Sequence, residues 1–272
     1  MDAFLNFFEQ MPSWQKLVWV ICCLVFTSLV EIIYPLVRFD NKSWRHVRIN
    51  LTLLLVTLTI NVIFGLITVG LFQWMHQHKI GLLYYVQLPI WIELLISLMW
   101  MDLIAQYGVH YMLHRIKWMW KMHMVHHSDT KVDATTGTRH HPGDYFLREL
   151  SALVAVVLIG APLAYYLLYR ICTVFFTYAT HANINMPRWL DRPLSWIFVT
   201  PNMHKFHHHF ERPWTDSNFG NIFSIWDRIF GTLVYDDPKK VKYGLDVLDK
   251  TSDENLLFQL KIPFNKDIKT DY

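Results

Sequence analysis

Apolar residues gather in a few long runs along this chain of 272 residues. Two runs, at residues 14–37 and 49–74, are almost uninterrupted, and a third at residues 88–111 has polar side chains among the apolar ones. Glu31, near the end of the first run, is expected to reach the membrane interface. A helix needs about 20 apolar residues to cross the hydrocarbon core of a bilayer. Each run meets that length, so the pattern predicts three membrane-spanning helices.

The third run carries a polar stripe. Asp102, Gln106, His110 and His114 recur at every fourth position, and residues four apart lie on one face of a helix. Because ionisable side chains are costly inside a membrane, this face should point into the protein. Two interpretations of Asp102 are open: a hydrogen bond to another helix or, as for Gln106, the orientation of a neighbouring imidazole.

Histidines form three clusters that begin on this stripe. The first cluster has the pattern HxxxH, and the other two have the pattern HxxHH. In a helix each of these spacings places the imidazoles on one face, about one turn apart. Each cluster can therefore present several nitrogen atoms to one centre. The eight residues are His110 and His114, then His123, His126 and His127, then His204, His207 and His208.

A fourth apolar region, residues 146–178, is interrupted at Gly160–Pro162. The second and third histidine clusters can meet only if the chain between them crosses the membrane an even number of times or not at all. We therefore predict a hairpin of two segments, residues 146–159 and 163–181, that turns at Gly160–Pro162. The hairpin would return the chain to His181, beside the clusters.

The basic loop from Arg38 to Arg48 predicts the orientation. Cytoplasmic loops carry an excess of Lys and Arg, so this loop, the histidine clusters and the C-terminus are predicted to be cytoplasmic, with the N-terminus outside. Residues 41, 130 and 240 should then lie on one side of the membrane and residue 78 on the other.

The amino-acid composition also indicates the class of protein. Of all residues, 53% are hydrophobic, as expected for a membrane protein, and a net charge of +3 without a basic stripe argues against a nucleic-acid partner. Cys22, Cys23 and Cys172 all lie in apolar runs. They predict buried small residues rather than a disulfide framework, a CxxC site or an iron–sulfur ligand set. No cleavable signal peptide is evident, so the first run is expected to be an uncleaved helix.

The histidines predict a metal site. Imidazole suits Zn, Fe, Cu and Ni, while Mg and Ca prefer oxygen ligands. The eight clustered histidines exceed the roughly three protein ligands of a catalytic zinc and the smaller ligand set of a mononuclear Fe(II) site. A two-zinc hydrolase usually bridges its ions with carboxylates, and these clusters contain none. The residues therefore predict two metal ions that bind nitrogen, each held by about four imidazoles.

The order and spacing of the clusters resemble the fatty acid hydroxylase and sterol desaturase superfamily of integral-membrane di-iron oxygenases. The resemblance runs from about residue 100 to residue 234, and it includes Arg139-His140-His141-Pro142 and Thr180-His181-Ala182-Asn183. Within the superfamily, segments 200–208 and 226–232 resemble alkylglycerol monooxygenase-like and bacterial sterol desaturase-like members. The resemblance implies two iron ions as cofactor, replaceable by zinc in purified material, and O₂ as co-substrate.

The resemblance also implies the ligands. Thr177 stands where related hydroxylases can carry a further histidine, and His141 could fill that position or lie behind the ligands. His209 is expected to point away, because the fifth position after His204 leaves the shared helix face. Asp227 is expected to have a structural or supporting role. The implied metal ligands are His110, His114, His123, His126, His127, His181, His204, His207 and His208.

The implied function is that of an oxidoreductase, a membrane-bound di-iron monooxygenase. It would use O₂ and external electrons to hydroxylate or desaturate a lipid: a fatty acyl, alkyl-ether or sterol-like substrate. The sequence contains no flavin, dinucleotide or haem motif, so a separate reductase with ferredoxin or cytochrome b5 is implied. The expected location is the bacterial inner membrane or the endoplasmic reticulum. The alternative is a metal-dependent membrane hydrolase or a metal-binding transport protein, the latter with its histidines at mid-membrane depth.

The predicted fold is all-α: a polytopic helical membrane protein with a cytoplasmic, histidine-rich helical cap that holds a dimetal centre. Residues 1–90 would form N-terminal membrane helices, and residues 91–234 a fatty acid hydroxylase-like catalytic domain. From Asn183 onward, frequent prolines among aromatic and charged residues predict short helices in a soluble cap. Residues 235–272 would form a polar C-terminal tail at the surface, with residues 256–260 docking back onto the protein.

Overall fold

The structure is a computed structural model that describes residues 2–39, 44–248 and 252–270. Within these ranges the regular secondary structure is helical, and β-type pairing is limited to two isolated bridges. The predicted all-α class is confirmed. The helices are α1 Asp2–Glu9, α2 Ser13–Ile33, α3 Trp44–His78, α4 Ile90–Asp102, α5 Val109–Arg115, α6 Lys117–His127, α7 Pro142–Ile159, α8 Leu163–His181, α9 Arg188–Leu194, α10 Pro201–His207, α11 Ile225–Ile229 and α12 Leu256–Lys261, with short 3₁₀ turns between them.

Three helices of the described chain are long and apolar enough to cross a membrane, and they match the three predicted runs. They are Ser13–Ile33, Trp44–Tyr84 and Ile90–Arg115. The second exceeds its predicted run, because the 35 residues of α3 are about 52 Å long, against about 30 Å of hydrocarbon. The first turns of α3, with His46 and Asn50 fully buried, therefore extend into the histidine-bearing end of the molecule.

The third span is not a uniform α-helix. Between α4 and α5 lies a π-helical segment, Leu103–Gly108, and such a segment often marks a functional site. Just before it, Asp102 accepts hydrogen bonds from the backbone N–H groups of Ile222 at 3.2 Å and Phe223 at 3.1 Å. It also accepts one from the indole of Trp226 in α11 at 3.0 Å. Of the two interpretations of Asp102, the bond to another helix is the one observed.

The predicted hairpin consists of α7 and α8, joined by Gly160 in a left-handed conformation with φ of 75°. This turn lies against the loop between α3 and α4, since a Cβ at Gly81 would be 2.3 Å from backbone atoms of Gly160. That loop is at the opposite end of the bundle from the histidines, so the hairpin runs the full height of the bundle. The hairpin ends at His181, as predicted.

The C-terminal tail docks onto the histidine-bearing end. Ile262 and Ile268 are buried in one cluster with Leu53 of α3 and Trp120 of α6, and residues 256–260 supply partly buried side chains to it. The predicted docking is therefore confirmed. Residues 130 and 240 lie at this end and residue 78 at the other, whereas residue 41 falls outside the described residues. Which end is cytoplasmic stays a prediction.

Candidate metal centre

All nine histidines implied as ligands are buried at one end of the helical bundle. None of them is more than 5% exposed. They divide into two groups, and within each group one possible ligand atom from every member lies within 4.8 Å of all the others. The five-histidine group is His110, His114, His123, His127 and His207, and the four-histidine group is His126, His181, His204 and His208.

Both HxxHH clusters contribute to both groups. In α6 the residues spaced four apart, His123 and His127, belong to the five-histidine group, and the remaining His126 belongs to the other. In the third cluster the assignment is reversed. The residues spaced four apart, His204 and His208, belong to the four-histidine group, and His207 belongs to the five-histidine group. The spacing thus lets one short helix serve two centres about one turn apart.

The nitrogen atoms within each group have the separation expected of ligands to one ion. The Nε2 atoms of His110 and His123 are 3.0 Å apart in the first group, and those of His181 and His204 are 3.0 Å apart in the second. Two ligands at right angles on an ion, with bonds of about 2.1 Å, would be about 3.0 Å apart. In addition, Nε2 of His207 is buried without a hydrogen-bond partner. The residues therefore fit two metal ions.

Most members of the five-histidine group are held from behind through Nδ1. Two partners are backbone carbonyl groups, and two are carboxylates. The distances are 2.9 Å from His110 to the Phe219 carbonyl, 2.8 Å from His207 to the Ser217 carbonyl, 2.9 Å from His123 to Asp144 and 3.3 Å from His114 to Asp216. A partner that accepts a proton from Nδ1 would leave the lone pair of Nε2 free to bind a metal ion.

The four-histidine group has fewer such partners. Nδ1 of His126 lies 3.2 Å from the Arg139 carbonyl and Nδ1 of His181 lies 2.7 Å from the Thr177 carbonyl. Nδ1 of His204 and both ring nitrogens of His208 are buried without a partner. This group therefore has fewer histidines, and fewer of its rings are oriented by a partner of Nδ1.

The clustered histidines of α6 and of segment 204–208 are neutral around pH 7. Burial lowers the pKa of His123 to about 3, even though Asp144 opposes the shift. Burial, with a smaller contribution from neighbouring imidazoles, lowers the pKa of the other five well below its usual range. A neutral imidazole has a free lone pair, so these side chains are ready to bind a metal ion.

Several supporting residues were missed at the sequence level. Asp144 accepts hydrogen bonds from both His123 and His140, and it pairs with Arg148 at 2.9 Å. The ring of His140 stacks on His126 at a centroid distance of 4.7 Å. The only sequence signal for Asp144 was its place two residues after Pro142, in the first turn of a helix, where acidic residues are common for other reasons.

Two other contacts hold the chain around His181. Glu31, which was expected to reach the membrane interface, accepts hydrogen bonds through its carboxylate from the N–H groups of Ala134 at 3.0 Å and Asn183 at 2.9 Å. Lys205, fully buried in the third cluster, donates a hydrogen bond to the Ala182 carbonyl at 2.6 Å. These hydrogen bonds link the residues after α8 to Glu31 in α2 and to Lys205 in α10.

The remaining candidates lie outside the two groups. His141 caps the N-terminus of α7, where its Nδ1 accepts a hydrogen bond from Gly143 N at 3.0 Å. His209 points away as predicted, and its Nδ1 accepts from Glu211 N. Asp227 has the expected structural role: it accepts hydrogen bonds from the N–H groups of Phe219 and Gly220 and so holds the carbonyl that contacts His110.

Comparison with known proteins identifies the family. The sequence profile of the fatty acid hydroxylase family matches residues 94–232, about half of the chain, and this stretch contains all nine grouped histidines. The chain belongs to the fatty acid hydroxylase family. Membership of this family and the three candidate spans support a multi-pass membrane protein. No solved structure matches the chain significantly.

The curated relatives are lipid hydroxylases and monooxygenases. Ornithine lipid hydroxylase OlsE from Rhizobium tropici is 30% identical over 167 residues, which cover 60% of this chain and 49% of that protein. Human alkylglycerol monooxygenase is 31% identical over 144 residues, covering 51% of this chain and 30% of that protein. Human cholesterol 25-hydroxylase is 24% identical over 127 residues, which cover 46% of this chain and 45% of that protein. The chain thus spans less than half of the length of each.

Proposed function

We propose that this protein is a membrane di-iron oxygenase that hydroxylates the alkyl part of a lipid with O₂ and externally supplied electrons. The observation that carries the proposal is the division of nine buried histidines into two groups whose nitrogen separations fit one ion each. Hydroxylation, rather than desaturation, is favoured because the relatives reported above are hydroxylases and monooxygenases.

The all-histidine ligand set supports redox chemistry over hydrolysis. Neither group contains a carboxylate, whereas two-zinc hydrolases usually bridge their ions with one. Bound iron would supply the activation of O₂, so that one oxygen atom enters a C–H bond and the other leaves as water after accepting two electrons and two protons. The transport alternative is disfavoured, because the histidines lie at one end of the bundle.

The chain itself would supply ligand orientation, exclusion of water and access from the membrane. The partners of Nδ1 hold the ligand imidazoles in one tautomer, with Nε2 directed inward. Burial of all nine rings keeps bulk water from the reacting atoms. The third span leads from the membrane directly to His110 and His114, so a lipid could reach the site without leaving the bilayer.

The substrate class and partners follow from the same reasoning. The relatives are named for ornithine lipid, alkylglycerol and cholesterol, so we expect a membrane lipid with a polar head and an alkyl portion. A separate reductase with ferredoxin or cytochrome b5 would deliver electrons, and the histidine-bearing end would face the cytoplasm.

Isotope labelling tests the proposal. Protein loaded with iron in vesicles, supplied with NADPH, a reductase and ferredoxin, should convert a bilayer lipid into a product 16 Da heavier in ordinary O₂ and 18 Da heavier in ¹⁸O₂, as measured by mass spectrometry. His207→Ala should abolish the product. Label arriving from H₂¹⁸O would instead indicate the hydrolase alternative.

A matched control is available in the same segment. His209→Ala removes a histidine next to the third cluster that lies outside both groups, so the variant should retain turnover. Equal losses in the His207 and His209 variants would show that damage to the fold, rather than loss of a ligand, explains the result.

A further inference from the structure

Part of the predicted cap runs back along the membrane bundle. Residues 195–198 and 219–230, here called the wedge, pack against the third span at the level of Asp102. Ile222 is buried in a cluster with Met101 and Ala105. Trp226 lies in a second cluster to which Met99 contributes. The wedge therefore reaches about two turns of helix below the first histidine cluster, since Asp102 lies eight residues before His110.

The position of Asp102 gives the depth. The candidate span Ile90–Arg115 has 26 residues and is about 39 Å long, against about 30 Å of hydrocarbon. Asp102 lies near its middle. Wherever the bilayer is placed along this helix, Asp102 and the wedge residues that it holds are about 9 Å or more inside the hydrocarbon.

Several backbone polar groups of the wedge are hydrogen-bonded within the protein. Backbone groups at this depth must have protein partners, since no water is present to replace them. Asp102 accepts from the N–H groups of Ile222 and Phe223. The Ile222 carbonyl accepts from Val199 N at 2.9 Å, and the Ile197 carbonyl accepts from Ser224 N at 3.1 Å. This pattern of internal bonds is what insertion into a bilayer requires.

The outer face of the wedge is apolar. Trp196, Ile197, Ile229 and Phe230 are 55–64% exposed. Beside them, the guanidinium group of Arg228 lies over the Trp196 ring at 4.2 Å from its centroid and donates a hydrogen bond to the Ser195 carbonyl at 2.9 Å. Exposure of such a patch to water is unfavourable, and the wedge packs beside the apolar side chains of Met99 and Leu103 in the third span.

A row of aromatic rings leads from the wedge to the histidines. The ring of Phe230 stacks on Tyr107 of the third span at 5.1 Å. Tyr107 contacts the buried ring of Phe219 at 6.1 Å. Phe219 in turn lies 5.1 Å from His114 in the five-histidine group. Two buried rings thus separate an exposed phenyl group from the candidate metal centre.

We propose that the wedge is a re-entrant element inserted into the hydrocarbon of the bilayer, and that an alkyl chain of a lipid meets it at Phe230 on the way to the five-histidine group. The partner is the lipid bilayer, because the exposed face is apolar, packs at the level of Asp102 in the third span, and has its backbone groups at that level bonded within the protein. The second half of the proposal rests on the proposed hydroxylase function; the first half does not.

Spin-label accessibility tests the insertion. Single cysteines replace Ile197, Ile229 or, as a water-facing control, Lys240, in a variant in which the three native cysteines are serine or alanine. In phosphatidylcholine vesicles, labels at 197 and 229 should collide with O₂ and be protected from a water-soluble nickel complex, while the label at 240 shows the reverse. Labels at both 197 and 229 that are as accessible to nickel as the label at 240 would overturn the insertion. The two positions serve as independent checks if one variant fails to fold, and metal-free protein suffices.

Kinetics test the route to the site. Phe230→Ala should raise the KM for a bilayer lipid about five-fold, with bound metal unchanged. Phe264→Ala, which removes a phenyl group 75% exposed in the tail, should leave the KM unchanged. An unchanged KM in the Phe230 variant would overturn the route. Absence of turnover in the unmodified protein would instead count against the hydroxylase function, and the spin-label result would still decide the insertion.

Discussion

The two histidine groups are drawn from overlapping segments, yet they are held differently. In the five-histidine group four rings have a partner behind Nδ1, and two of these partners are the carboxylates of Asp144 and Asp216. In the four-histidine group two rings have such a partner, and both partners are backbone carbonyls. Nδ1 of His204 and of His208 has none.

This difference has consequences for metal binding. A carboxylate behind an imidazole raises the basicity of the ligand and fixes its orientation, and loss of such a partner typically weakens metal binding about 10–100-fold. The five-histidine group also has one more ligand. We therefore expect the five-histidine centre to hold its ion more tightly and the four-histidine centre to lose its ion first.

Removal of one ligand from each group should have the largest effect. His204→Ala leaves three histidines in the smaller group, so we expect bound metal to fall from about two ions to about one. His207→Ala leaves four histidines in the larger group, so we expect both ions to remain at saturating iron. Turnover should fall by more than about 100-fold in both variants, since both centres are needed. Elemental analysis and lipid turnover measure these outcomes.

His209→Ala should retain both ions and turnover. If His204→Ala keeps two ions while His207→Ala loses one, the ranking of the two centres is reversed.

The next largest effect concerns the carboxylates. Asp144→Asn keeps the shape of a side chain that contacts His123, His140 and Arg148 but removes its charge. We expect about 10–100-fold weaker metal binding at the five-histidine centre, so that a chelator would remove both ions at similar rates instead of one after the other. Dialysis against a graded chelator measures this. If Asp144→Asn speeds the loss of the weakly bound ion and leaves the tightly bound ion unaffected, Asp144 supports the four-histidine centre rather than the five-histidine centre.

Much of this arrangement could be predicted from the sequence, because it depends on spacing along helices. The HxxxH and HxxHH patterns locate eight of the nine grouped histidines, and the parity of membrane crossings places His181 beside them. The division into groups of five and four could not be predicted, since it depends on how α6 and α10 face one another. Asp216 lies 102 residues from His114, and Asp144 lies 21 residues from His123, the grouped histidines that they contact. The sequence also does not show that His140, rather than His141, contacts Asp144.

The wedge was missed for a related reason. Aromatic and polar residues alternate between residues 195 and 230, a pattern also found in soluble caps. Only the tertiary contact with Asp102 reveals the depth of this segment. Asp102 itself was noticed, as a costly acid within a span, but its partners lie about 120 residues away.

The third prediction concerns a property that both groups share. In the metal-free protein the pKa values of the clustered histidines lie below their usual range because of burial. The unfolded chain, with an ordinary pKa of about 6.5, binds more protons than the folded chain below that pH. Stability should therefore fall as the pH is lowered from 7 to 5, by up to about 2 kcal/mol for each histidine.

Thermal unfolding in detergent at pH 7, 6 and 5 measures this effect. Iron-loaded protein should keep its midpoint to a lower pH than metal-free protein, because the ions bind only the folded state. A midpoint of the metal-free protein that is constant over this range would mean that the histidines are not buried in neutral form.

The smallest effect is expected from substitution of His141, the candidate for a tenth ligand. His141 lies outside both groups; its Nδ1 caps α7 by accepting from Gly143 N, and its Nε2 lies 3.3 Å from the Leu260 carbonyl. His141→Asn preserves a side chain that can cap a helix, whereas His141→Ala should cost about 1 kcal/mol of stability. Both variants should retain two ions and most of the turnover. If His141→Ala lost one ion and His141→Asn did not restore it, His141 would be a ligand, and the four-histidine centre would have to be redrawn as a centre of five.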